Sequence, residues 1–101
     1  MGVYITQLIY IKAGEEKVFD QFESIAIPAI AKYNGKLLLR IRPDESAIIE
    51  SNMEVPYEIH ICLFDAEDDF KNFMLDEERK SFLHLKEQSV RSVIFIKGTQ
   101  L

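Results

Sequence analysis

His60 stands in the most apolar run of the chain, Tyr57 to Phe64, between Ile59 and Ile61. An imidazole placed there could act as a general acid or base, its pKa set by its surroundings. Glu58 lies two residues before it and Cys62 two after, and on an extended strand that spacing puts all three side chains on one face. The carboxylate could then orient the imidazole. The plainer reading of the same residues is a hydrogen-bonded core histidine, a glutamate in solvent at the strand end, and a buried structural thiol with no basic neighbour to activate it. His60 and Cys62 alone are two ligand types without a third, so no metal site is expected.

Gln7 and Arg40 are the candidate ligand-binding residues. Gln7 shares a strand face with Ile5 and Ile9, and a polar group amid apolar neighbours needs a partner: a cavity water, a ligand or a facing subunit. We read it as part of a cavity wall. Arg40 and Arg42 share a face of the next strand and could hold a carboxylate or phosphate through bidentate contacts; the alternative is an edge-strand charge pair that keeps the sheet soluble. Tyr4, Tyr10, Tyr33 and Tyr57 are the rings that could wall a site, although such rings commonly bury their bodies and hydrogen-bond their tips. There is no glycine-rich phosphate loop, serine nucleophile elbow, paired-histidine helix or aromatic-basic nucleic-acid motif. No cofactor is expected, and no motif names a reaction.

The elements that must position these residues follow from periodicity. Val3 to Ile11 is rich in β-branched and aromatic residues, and Gly14 breaks it before the acidic helix start at Glu15 and Glu16. Val18, Phe19, Phe22, Ile25, Ala26, Ala29, Ile30 and Tyr33 recur at three- and four-residue steps, which predicts a helix over 15–33 with a kink or restarted turn at Pro28. Asn34-Gly35 ends it. Lys36 to Arg42 alternates as a half-buried strand with Leu37, Leu39 and Ile41 on one side, and Ala47 to Glu50 could extend it after a turn. Tyr57 to Phe64 is the third strand. Asp65 is placed to cap the next helix, and a second helical stretch over 77–87 either continues it or restarts after Asp76. Val90 to Lys97 closes the chain as a strand.

The order β-α-β-β-α-β predicts an α+β, ferredoxin-like domain with a four-stranded antiparallel sheet. Two helices cover one face of such a sheet, yet the strands carry apolar residues at both parities. Packing two sheets face to face in a homodimer is the simplest cover for the second. The 101 residues form one expected domain, and 48% hydrophobic content supports a core without staples. A net charge of −5 is the wrong sign for gripping a phosphate backbone, so no nucleic-acid partner is expected. One cysteine excludes an intrachain disulfide, and no apolar run approaches the ~20 residues of a membrane span. A cytoplasmic protein without a membrane partner is the expectation.

The stretch Ile27-Pro28-Ala29-Ile30-Ala31-Lys32-Tyr33-Asn34-Gly35-Lys36-Leu37-Leu38-Leu39-Arg40 resembles the helix-end and second-strand motif of the domain-of-unknown-function 1330 family. Phe64 with the acidic helix start, Phe70 to Phe73, and the closing Ile94-Phe95-Ile96-Lys97-Gly98 are similar to it too. Asn34 stands where a second glycine is usual, and 75–82 lacks the family's Ser-Pro-x-Tyr pattern. The wider set is the dimeric α/β-barrel superfamily, with antibiotic-biosynthesis monooxygenase-like and EthD-like members. The resemblance implies a homodimer whose sheets enclose a cavity, with any site for a small apolar or aromatic molecule inside it; if the chain is an enzyme, a cofactor-independent monooxygenase- or isomerase-like activity is expected, with His60 and Glu58 the catalytic candidates. The alternative is a non-catalytic dimerisation module whose inter-sheet space is packed core.

Overall fold

The computed structural model describes residues 2–101. Four strands, β1 (Val3–Ile11), β2 (Gly35–Ile41), β3 (Glu58–Phe64) and β4 (Val90–Gly98), form one antiparallel sheet in the order β2-β3-β1-β4. Helix α1 (Glu16–Lys32) links β1 to β2, and the short helices α2 (Glu67–Met74), α3 (Glu77–Ser81) and α4 (Leu83–Ser89) link β3 to β4. This is the ferredoxin-like arrangement that the element order predicts.

Helix α1 presents Phe19, Phe22, Ala26, Ala29 and Ile30 to one face of the sheet and runs through Pro28 unbroken. Ala29 and Ile30 pack in one core cluster with Val3 and Ile5 of β1, Cys62 and Phe64 of β3, and Phe73 of α2. Aliphatic and aromatic burial of this kind supplies roughly 25 cal/mol per Å² of apolar surface, the main force holding helix to sheet. The chain leaves α1 through Asn34 at φ 58°, a left-handed conformation that asparagine tolerates. Gly35 then lies so close to the helix–sheet junction that a Cβ there would sit 2.6 Å from the Phe64 ring and 2.7 Å from Ile30.

Three local expectations are corrected. The alternation of β2 breaks at a bulge: Leu37 lies opposite Cys62, but Leu39 lies opposite Ile61. One extra residue reverses every later side chain. Leu37 therefore faces the helices, Leu39 and Ile41 turn to the open face, and Arg40 comes to lie across from His60. Residues 47–50 do not extend the strand; Asp44 caps a single 3-10 turn, Glu45–Ala47, and Ile49 is fully exposed. Asp65 does not cap α2. Its N–H is bonded to the Asn34 carbonyl at 3.1 Å, and the helix begins after Ala66 with no side-chain cap. Asp76 is the residue that caps, accepting from the N–H groups of Glu78 and Arg79, so the helical stretch restarts there.

The second sheet face carries Leu8, Leu39, Ile41, Ile61, Ile94 and Ile96, and no element among the described residues covers it. Ile41 and Ile96 are 42% and 49% exposed, a continuous apolar surface of the kind that marks an interface. Gly35→Ala is expected to lower unfolding stability by about 1–3 kcal/mol through overpacking against Phe64 and Ile30. Urea denaturation checks this; an unchanged midpoint means the helix–sheet junction is looser than described.

Candidate functional site

The helix-facing side of β3 reads Glu58, His60, Cys62, Phe64, and all four are buried. Glu58 is wholly inaccessible, not in solvent as its place at the strand start suggests. Its burial is made tolerable by three donors. Arg42 Nε donates to Oε1 at 2.7 Å, Arg40 Nε donates to Oε2 at 3.3 Å, and His60 Nε2 bonds the same Oε2. The bulge in β2 is what turns both arginines toward this carboxylate. Arg42 also reaches Asp20 of α1 at 2.5 Å and stacks over Tyr57, 4.9 Å from the ring centroid.

Glu23 completes the cluster from α1. It lies on the buried stripe, four residues after Phe19 and three before Ala26, and is 5% exposed. Its Oε1 is 3.1 Å from His60 Nε2 and 3.5 Å from Arg40 Nη2, yet has no hydrogen-bond partner. His60 Nε2 also lies against Glu58 Oε2, so one ring nitrogen faces two carboxylates and its single proton cannot serve both at once. A buried carboxylate oxygen left unpaired is costly and marks a place where something else belongs.

The charges divide accordingly. Burial pushes the Glu23 carboxyl up to about 7, His60 opposing only in part. Burial pushes Glu58 the same way, but hydrogen bonds from His60, Glu23 and Arg42 outweigh it and hold that carboxyl well below the usual range. Burial would lower His60, but Glu23 and Glu58 raise it to about 9. At neutral pH a fixed carboxylate therefore holds an imidazolium beside a carboxyl poised to gain or lose a proton. Burial raises the Cys62 thiol to about 11, which keeps it inert, as expected for a structural cysteine.

Two hollows meet at this cluster. A cavity of about 150 Å³ lies between sheet and helices, its polar wall made by Gln7, Glu23, His60, Arg79 and Lys86 and its apolar wall by Ile27, Ile30, Phe73, Met74, Val93 and Phe95. An open groove of about 690 Å³ runs between α1 and β2 and is bordered by Asp20, Glu23, Arg40, Arg42 and Glu58. Glu23 borders both. Of the sequence candidates, Gln7 and His60 thus reach the cavity, while Arg40 and Glu58 reach the groove. All four lie on the helix-covered face and not between two sheets. The sequence reading missed Glu23, Arg79 and Lys86. Glu23 was legible as a carboxylate on an apolar helical stripe; no periodicity marks Arg79 in its five-residue helix.

Glu23, Glu58 and His60 also bring three metal-ligand atoms within 4.8 Å of one another. Two guanidiniums already occupy Glu58, and their charge opposes a cation there. The donor set therefore suits proton transfer better than metal binding.

No protein-family profile matches the chain, and no curated protein is similar enough to match. Solved structures do. A protein of unknown function from Rhodopseudomonas palustris superimposes with a TM-score of 0.83 at 11% identity, covering 99% of this chain and 82% of that one. A dimeric ferredoxin-like protein of unknown function from Thermobifida fusca gives 0.72 at 11% identity, covering 99% and 92%. The fold is ferredoxin-like. A NIPSNAP family protein of unknown function from Agrobacterium tumefaciens gives 0.65 at 19% identity, covering 97% and 86%. At these identities the likeness extends to the fold alone, and the more specific resemblance to the domain-of-unknown-function 1330 family gains no support from the matches.

Glu58→Ala is expected to destabilise by about 3 kcal/mol, the low end for a broken buried pair because Arg40 and Arg42 can reach solvent. Chemical denaturation reads this directly. His60 binds its proton more tightly folded than unfolded, so its contribution is full below its ordinary value of 6.5 and is lost as pH rises through about 9. Wild type should lose stability over that interval and His60→Gln should lack the loss; equal slopes contradict the charged assignment.

Proposed function

We propose that this chain is a small-molecule-binding protein whose ligand enters the cavity between sheet and helices, where Glu23 and His60 act as a proton-transfer pair. The observation that carries the reading is the unpartnered Glu23 Oε1 at the wall of a cavity beside a charged imidazole. A buried acid near neutrality and a neighbouring histidine are the groups that general acid–base chemistry requires. Glu58 acts as a positioning residue through His60, and Arg40 and Arg42 hold Glu58 in its charged form. Gln7, across β1 from His60 in register, supplies an amide for orienting a polar ligand group.

The chain works as a homodimer in this reading, joined through the open face of the sheet. The uncovered aliphatics of that face support it, as does the description of similar structures as dimeric. The inter-sheet contact is then packed core, as in the alternative of a dimerisation module, while the ligand lies on the other side of the sheet. That arrangement suits the dimeric α/β-barrel superfamily to which the sequence motifs are similar. Chemistry without a cofactor, on an apolar or aromatic substrate, is the activity proposed.

Methyl-labelled protein titrated with phenol should show shifts at Ile27, Ile30 and Val93, which line the cavity. Ala26→Leu, which places bulk in the cavity, should abolish them. Shifts confined to Leu8, Ile61 and Ile94 would move the site to the open face and refute the reading. Ile61→Glu should convert dimer to monomer by light scattering; an unaltered mass excludes the open face as the interface.

A further inference from the structure

Four arginines occur in the chain, and three hold a carboxylate: Arg40 and Arg42 on Glu58, Arg91 on Glu54. Arg79 is the exception. It is 7% exposed, its guanidinium lies over the rings of Phe73 and Phe22 at 5.2 Å and 5.9 Å, and no carboxylate among the described residues comes within 4.0 Å of it. Its side chain makes one long hydrogen bond, Nη1 to the Met74 carbonyl at 3.5 Å, out of five possible donors. Asp76, the acid nearest in sequence, is committed to capping α3.

Lys86 of α4 lines the same cavity, is half-buried and likewise has no carboxylate partner among the described residues. Burial pushes its ammonium below the ordinary lysine range, and the charge of Arg79 adds to the effect. Two cations crowded into one hollow without an anion are unusual in a chain carrying seventeen acidic residues. Glu23, the acid of the cavity wall, is raised by burial to about 7, so at neutral pH it is only partly ionised and does not balance two cations.

We propose that the cavity takes a small apolar monocarboxylate, its carboxylate held by Arg79 and Lys86 and its body against Phe73, Val93 and Ile30. A planar guanidinium held against two aromatic rings is preorganised for a carboxylate fork, and Lys86 adds a second charge-assisted bond. A volume of about 150 Å³ suits a body the size of one benzene ring. Glu23 and His60 line the same cavity, so a ligand anchored by Arg79 and Lys86 shares the hollow with the proton-transfer pair.

This inference rests on the cavity being the ligand site, and two probes separate the two ideas. The full chain is titrated with benzoate and with benzyl alcohol, which share a ring and differ in charge. Benzoate should bind about tenfold tighter or better, the effect of one or two charge-assisted hydrogen bonds. Lys86→Met should remove most of that preference and leave benzyl alcohol within about threefold, with Arg79→Gln acting likewise. Should Arg79→Gln fail to fold, Lys86→Met decides alone. Equal binding of both probes, or an undiminished preference in Lys86→Met, overturns the carboxylate assignment while the cavity stands; binding of neither probe overturns both.

Discussion

The buried carboxylate of Glu58 is the constraint around which this sheet is built. It has no contact with solvent, and an ionised group in that position persists only where donors replace its lost hydration. Those donors come from two strands: Arg40 and Arg42 on β2 and His60 on β3 itself. The bulge between Leu37 and Leu39 is what makes the supply possible, because it turns the arginine parity toward the helices at the point where Glu58 needs it. Without that reversal the arginines would face the open side, and Leu39 and Ile41 would face the carboxylate.

From this anchor the charges of the site follow in sequence. Glu23 and Glu58 together keep His60 protonated despite burial, and the charge on His60 limits but does not cancel the effect of burial on Glu23. The result is a graded set of protonation states across one short stretch of the interior: an acid held ionised, a base held charged, and a carboxyl near its midpoint at neutral pH. Such separation of otherwise similar groups by their environment is the physical basis for assigning acid and base roles. In the same cavity, Arg79 and Lys86 supply positive charge with no carboxylate paired to either among the described residues, which suits the hollow to an anionic guest.

Much of the architecture was legible in the sequence. Strand β1 was readable to the residue from its β-branched density, and the Asn34 turn from residue type. The two-sided apolarity of β1 and β3 gave both the helix-covered face and the uncovered one. The faults arose where local signals compete with long-range packing. Alternation in β2 carries no mark of a bulge, because Leu37, Leu38 and Leu39 are alike and the slip is set by pairing with β3. Glu58 looked solvent-exposed because a strand-end glutamate has no local sign of the arginines that come to it from another strand. Asp65 looked like a cap because its type fits, but its backbone is committed to Asn34. Glu23 alone could have been found earlier, since a charged residue on a buried helical stripe demands a partner.

The acid–base pair depends on His60 being held charged by Glu23 and Glu58 at the cavity wall. Nitrogen-15 resonances of the imidazole, followed from pH 6 to 10, measure this most directly. We expect both ring nitrogens of His60 to remain protonated at neutral pH and to titrate near 9. A His60 that is already neutral at pH 7.5 would contradict the proposed acid–base pair and the charge order built upon it.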